Sequence, residues 1–119
     1  MRVLVTGGRD YQDMDRVYEV LGLFKELAYH RSENLTIVTG ACPTGADKLA
    51  SVYVHSYCDC HIEEHPAANF GSWPSCGPRR NAYMVGLGAD FVVAFPGGRG
   101  TSDCVAKAKR AGILTFLVG

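Results

Sequence analysis

Apolar residues fall in short unbroken runs at "RVLV" (2–5), "LTIV" (35–38), "FVVAF" (91–95) and "ILTFLV" (113–118), with a weaker run at "CDCHIEE" (58–64). Such runs, without alternation, predict short strands covered on both faces. Between the first two, Met14, Val17, Tyr18, Leu21, Phe24 and Ala28 recur at spacings of three and four. That is one stripe of an amphipathic helix, with Asp13 placed to cap it. A second stripe, Ala46, Leu49, Ala50, Tyr53 and Tyr57, follows Thr44 as cap, with Asp47 where a carboxylate favours a helix start. A third, shorter helix is expected after Gly77-Pro78, and a fourth from about Thr101 to Ala111, where Gly112 ends it. Strand and helix alternate from end to end. Right-handed crossovers turn that order into one Rossmann-like, doubly wound α/β domain over residues 1–119, a mostly parallel sheet of about five strands with helices on both faces.

Three of the strands empty into loops of small residues: "TGGRDY" (6–11), "TGACPTGAD" (39–47) and "PGGRGT" (96–101). In an open α/β sheet these loops share the carboxyl edge, where ligands bind at the topological switch point and helix N-termini attract anions. Their convergence predicts a phosphate cradle built from Gly7, Gly8 and Arg9 on one side, Gly40 and Thr44 as floor, and Gly97, Gly98, Arg99, Gly100 and Thr101 against the phosphate. Thr101 is expected to cap the fourth helix and to offer its hydroxyl as well. Neither the G-x-G-x-x-G spacing nor a Walker A Gly-Lys-Ser/Thr occurs, so dinucleotide redox chemistry and ATP hydrolysis have no support. The stretch "CGPRRNAYM" (76–84) is expected to present Arg79, Arg80 and Asn81 in the first turn of the third helix. Cations there oppose the helix dipole, which points to an anion that they meet as bidentate partners. The longest loop, "HPAANFGSWPSCG" (65–77), is a further functional candidate. In it Trp73 either stacks on a base or pins the loop to the core, and Tyr11 is a second stacking candidate. His30 and His55 fall on helices and read as surface positions.

Charge and cysteine content narrow the function classes. Twelve basic residues balance twelve acidic ones, so no global basic field draws the chain to nucleic acid or membrane. The start "MRVLVTGG" is too short an apolar stretch for a signal peptide, and no run approaches the roughly 18 apolar residues of a spanning helix. The expectation is a cytoplasmic, or phage-encoded intracellular, protein. Five cysteines without disulfide-scaffold spacing are expected to be reduced thiols. Cys58, Cys60, His61 and His65 have zinc-ligand chemistry, but paired C-x-x-C spacing is missing, and on a strand Cys58 and Cys60 share one face, so no metal is expected.

In order along nearly the whole chain, "TGGRDY", "TGACPTGADKLA", "GPRRNAYM" and "ADFVVAFPGGRGT" resemble the YspA-like, YpsA-related branch of the SLOG superfamily. That superfamily also contains the Lonely Guy phosphoribohydrolases and DNA-processing protein A. The resemblance implies a Rossmann-like fold, a nucleotide or nucleotide-derived ligand at the glycine loops with no further cofactor, and a homodimer. Lonely Guy enzymes carry P-G-G-x-G-T-x-x-E and, one element earlier, E-R-K-x-x-M. Pro96, Gly97, Gly98, Gly100 and Thr101 match the first pattern, while Arg80 and Met84 match two positions of the second. Cys104 stands where those hydrolases place the catalytic glutamate, and Asn81 replaces the lysine.

Cleaving an N-glycosidic bond develops positive charge on the ribose and requires water to be activated, and a carboxylate can serve both needs. A thiol at Cys104 serves neither need well. The leading expectation is therefore ligand binding. The alternative is a nucleoside-phosphate N-glycosidase using Asp103 or Asp47 with Arg80, Asp10 being a further carboxylate near the first loop. A nucleic-acid processing accessory protein is the second alternative, and neutral net charge argues against it.

Overall fold

The chain runs β1 (Arg2–Thr6), α1 (Met14–His30), β2 (Leu35–Thr39), α2 (Gly45–His55), β3 (Cys60–Glu64), a short 3₁₀ turn (Ala67–Phe70), α3 (Cys76–Gly86), β4 (Phe91–Ala94), α4 (Arg99–Arg110) and β5 (Leu114–Leu117) in a computed structural model that describes residues 1–57 and 59–119. The strands form one fully parallel sheet in the order β3-β2-β1-β4-β5. Alternation along the strands splits the core in two. Val3, Val5, Ile37 and Val93 join Val17, Leu21 and Phe24 of α1 and Ala46, Ala50 and Tyr53 of α2. Leu4, Val38 and Val92 face Met84 and Val85 of α3 and Cys104 and Ala108 of α4. Each such aliphatic side chain contributes about 1.5–3 kcal/mol by leaving water, which explains why the three central strands read as unbroken apolar runs.

Helix ends account for several departures from the sequence reading. Asp13 caps α1 as expected, accepting from the Arg16 amide at 3.0 Å, but Met14 is 44% exposed and lies outside the buried stripe. Thr44 occupies the N-cap of α2 without a side-chain cap bond. Helix α3 begins at Cys76, before Pro78, so Arg79, Arg80 and Asn81 lie past its first turn and the dipole argument loses its force. Helix α4 begins at Arg99 with Gly98 as N-cap, so Thr101 is its third residue and not its cap. Gly112, at φ +77°, ends α4, its amide donating to Lys109 O and the next amide, of Ile113, to Ala108 O, both at 3.0 Å.

The run at 113–118 is not covered on both faces. Leu114, Phe116 and Leu117 are 59, 43 and 65% exposed, because β5 is an edge strand with a neighbour on one side only among the described residues. Among the described residues, no helix is long and apolar enough to cross a membrane.

Candidate functional site

Strands β1 and β4 are neighbours, but the chain leaves them in opposite directions, β1 towards β2 and β4 towards β5. The crevice at their carboxyl ends is the topological switch point. Three loops interlock there through backbone alone. The Gly8 amide donates to Pro96 O at 2.9 Å, and Gly8 O accepts from the amides of Ala46 at 3.1 Å and Tyr11 at 3.3 Å. The glycines divide into two groups. A Cβ on Gly97 would meet the Gly8 amide nitrogen at 2.7 Å and the Thr101 hydroxyl, and Gly45 has φ +74° with the Gly8–Arg9 backbone against it. Only glycine allows that approach and that dihedral. A Cβ on Gly98 or Gly100 meets nothing within 4 Å, so these two open onto free space.

That open space lies at the start of α4. Ser102 is the first residue whose amide finds a helical acceptor, Gly98 O at 3.1 Å. The amides of Arg99, Gly100 and Thr101 have no protein acceptor among the described residues. Uncapped amides carry the positive end of the helix dipole. Arg9, Arg79 and Arg99 are exposed and form no ion pair among the described residues. Thr44 is exposed at the start of α2, whose Ala46 amide is already taken by Gly8 O.

Arg80 makes contacts that its sequence position does not suggest. Its Nη1 donates to Gly40 O at 2.8 Å and to His65 O at 3.4 Å, and its Nε donates to Asn81 Oδ1 at 2.9 Å. The guanidinium fills the space a Cβ on Gly40 would need. Buried Asn81 in turn donates through Nδ2 to Gly100 O and to Asp103 Oδ2, both at 3.1 Å. Arg80 and Asn81 therefore tie the β2 and β3 exits to the first turn of α4. Asp103 is held at 2.6 Å by Lys107. Burial pushes its pKa up, but Lys107 and Asn81 outweigh this and keep the carboxyl below its usual range.

Asp47 differs from Asp103. It is 9% exposed and accepts from the Cys42 amide at 3.1 Å. Burial pushes its carboxyl up to about 6, against the Cys42 and Gly40 amides and the Arg80 charge. Cys104 is fully buried, and burial pushes its thiol up to about 11 despite Arg80 and a hydrogen bond with Thr6. A neutral thiol thus stands where the hydrolase pattern has its glutamate.

Around the crevice, the Tyr11 ring packs on Phe95 with centroids 5.3 Å apart. The segment between β3 and α3 is pinned by Phe70, whose ring lies 5.2 Å from that of Tyr83, which also meets the His65 ring at 5.4 Å. Trp73 is 78% exposed and does not pin the loop. Sequence reasoning missed both this pin and the network beneath it. Arg2 grips Glu63 at 2.6 and 3.0 Å, and Glu63 Oε2 lies 2.8 Å from His65 Nε2. Arg2 and then His65 hold the Glu63 carboxyl down to about 2. Asp10, His30 and His55 are exposed. Of the zinc candidates, Cys60 is buried under α1 and α2, His61 is exposed, His65 is paired with Glu63, and Cys58 lies outside the described residues. Among the described residues, no group of three His, Cys, Asp or Glu side chains is placed to hold a metal ion. A hollow of about 530 Å³, lined by Lys25, Tyr29, Glu33, Asn34 and Asp59, opens instead at the amino end of β2. It adjoins the C-terminal end of α1 and so offers none of the free amides of the crevice.

Comparison with known proteins agrees with this architecture. The C-terminal domain of a hydrogenase from Pyrococcus furiosus superposes with a TM-score of 0.55 over 98% of this chain and 89% of that one, at 12% identity, a likeness of fold alone. The Gene 61 protein of Mycobacterium phage D29 is 35% identical over 118 residues, covering 94% of this chain and 91% of that protein. The profile of the YspA, cpYpsA-related SLOG family matches residues 1–57, which contain the first two glycine loops. With that profile and a relative of this identity along its length, the chain belongs to the YspA, cpYpsA-related SLOG family.

Proposed function

We propose that this protein binds a nucleotide or nucleotide-derived ligand through a phosphate at the β1–β4 crevice. The observation that carries the reading is the start of α4, where three consecutive amides lack an acceptor among the described residues and two of the adjoining glycines open onto free space. A phosphate supplies acceptors to those amides and charge to the dipole. Thr101 adds a hydroxyl, and Arg9, Arg79 and Arg99 are available to neutralise charge. Arg80 and Asn81 act as positioning residues that hold the cradle. The setting we infer is intracellular, where such ligands are found.

A thermal-shift screen against nucleoside mono-, di- and triphosphates, ADP-ribose and cyclic nucleotides tests this, since native-state binding raises apparent stability by mass action. A selective shift is expected in the wild type and lost in Gly98→Val, a site with room for the new side chain. The absence of any shift across the panel overturns the reading.

Asp47 favours a second reading, hydrolysis of the N-glycosidic bond, because a buried carboxyl that titrates near 6 is suited to proton transfer. Asp103, bound to Lys107, is the weaker base. This reading predicts free base released from a nucleoside monophosphate and lost in Asp47→Asn. No release at high enzyme concentration refutes it.

A further inference from the structure

The two edges of the sheet are unlike. Strand β3 carries His61, Glu63 and Glu64, the charged kind of edge that resists pairing. Strand β5 reads Leu-Thr-Phe-Leu, with no charge, proline or bulge among its residues, and pairs only with β4 among the described residues. The Val118 amide donates to Ala94 O at 2.8 Å. Strand alternation then turns the N–H and C=O groups of Thr115 and Leu117 to the open side.

Apolar surface flanks this edge on both faces. Phe116 lies beside Phe24 and Phe91, with centroids 5.7 and 5.9 Å away, yet stays 43% exposed. On α1, Lys25 reaches Tyr57 and Tyr18 reaches Tyr53, both on the α2 side. Helix periodicity places Leu23, 62% exposed, on the opposite flank above β4 and β5. On the other face Leu117 lines a groove of about 400 Å³ against Val105 and Lys109 of α4.

We propose that β5 pairs antiparallel with β5 of a second copy of this chain, joining two five-stranded sheets into one. A two-fold axis beside Phe116 pairs Thr115 with the other copy's Leu117 and satisfies every outward backbone group of the strand. It also sets Phe116 against Phe116 and Leu114 against Val118, cross-strand pairs that are apolar throughout. A two-fold symmetric contact requires a self-complementary patch, and an uncharged strand with apolar faces meets that requirement. Leu23, Leu114, Phe116 and Leu117 present on the order of 400 Å² per copy, so both copies with their strand backbones approach the roughly 1,000 Å² a specific interface needs.

Sedimentation equilibrium of the full chain tests the pairing. The wild type is expected at twice the single-chain mass of 12.9 kDa. Thr115→Pro, which deletes an outward donor, and Leu117→Lys are expected at the single-chain mass with unchanged circular dichroism. If Thr115→Pro fails to fold, Leu117→Lys decides alone, since that side chain is 65% exposed. Hydrogen exchange at the Thr115 and Leu117 amides is expected to be slow in the wild type and fast in Leu117→Lys. A wild type at the single-chain mass overturns the proposal and leaves the edge to a strand of another protein. So does a dimer that survives Leu117→Lys, or one whose Thr115 and Leu117 amides exchange freely.

Discussion

Asp47 makes a sharp quantitative prediction. Its carboxyl is raised from the usual 3.8 to about 6, chiefly because burial disfavours the charge. Between those two values the folded protein holds a proton that the unfolded chain has released. Stability from this group is therefore fully present below about pH 4 and is lost as pH rises through about 6. The difference corresponds to about 3 kcal/mol once the carboxyl is ionised. In Asp47→Asn the titration is gone, while every other group titrates much as before. Urea unfolding of both proteins from pH 4 to 8 is the assay, read as the stability of the variant minus that of the wild type. Changing the hydrogen bonds from the Cys42 and Gly40 amides offsets that difference by a constant, but its growth of about 3 kcal/mol towards high pH does not depend on the offset. A difference that stays flat across the range would show that burial does not raise this carboxyl, and would remove the main support for the hydrolytic reading.

Other predictions concern the cradle. Gly97→Ala forces a Cβ onto the Gly8 amide and the Thr101 hydroxyl, and should cost about 1–3 kcal/mol of unfolding free energy in urea titrations. Gly98→Val, with nothing in its way, should unfold within about 1 kcal/mol of the wild type while losing nucleotide binding by calorimetry. Arg99→Ala should weaken binding by about 1.5–3 kcal/mol, the range of hydrogen bonds to charged groups, without lowering the melting temperature. Trp73 is the one tryptophan in the sequence and is 78% exposed. If a base stacks on it, ligand should quench the intrinsic emission, and Trp73→Ala should lose about 1–3 kcal/mol of affinity. Calorimetric binding with unchanged emission would remove Trp73 from the site.

The amino-acid sequence by itself determined the strands, their alternation with helices and the placing of three glycine loops on one edge. These properties are local. A central parallel strand is apolar at most positions, a helix repeats its apolar residues every three or four, and a β-α turn favours small residues. Contacts between distant segments decided the rest. Arg80 reads as a residue that meets an anion, and only the fold shows that Gly40 O, forty residues away, accepts its hydrogen bond. Gly97 and Gly98 are adjacent and chemically identical, yet one is packed against the first loop and the other is open, a distinction made only when β1 and β4 lie side by side. Asp47 reads as a helix-start carboxylate, but its burial, and hence its raised pKa, follows from the loops that close over it. The run at 113–118 is as apolar as a central strand. Only the sheet order places it at an edge, where the physics that buries a core strand instead leaves a surface for pairing.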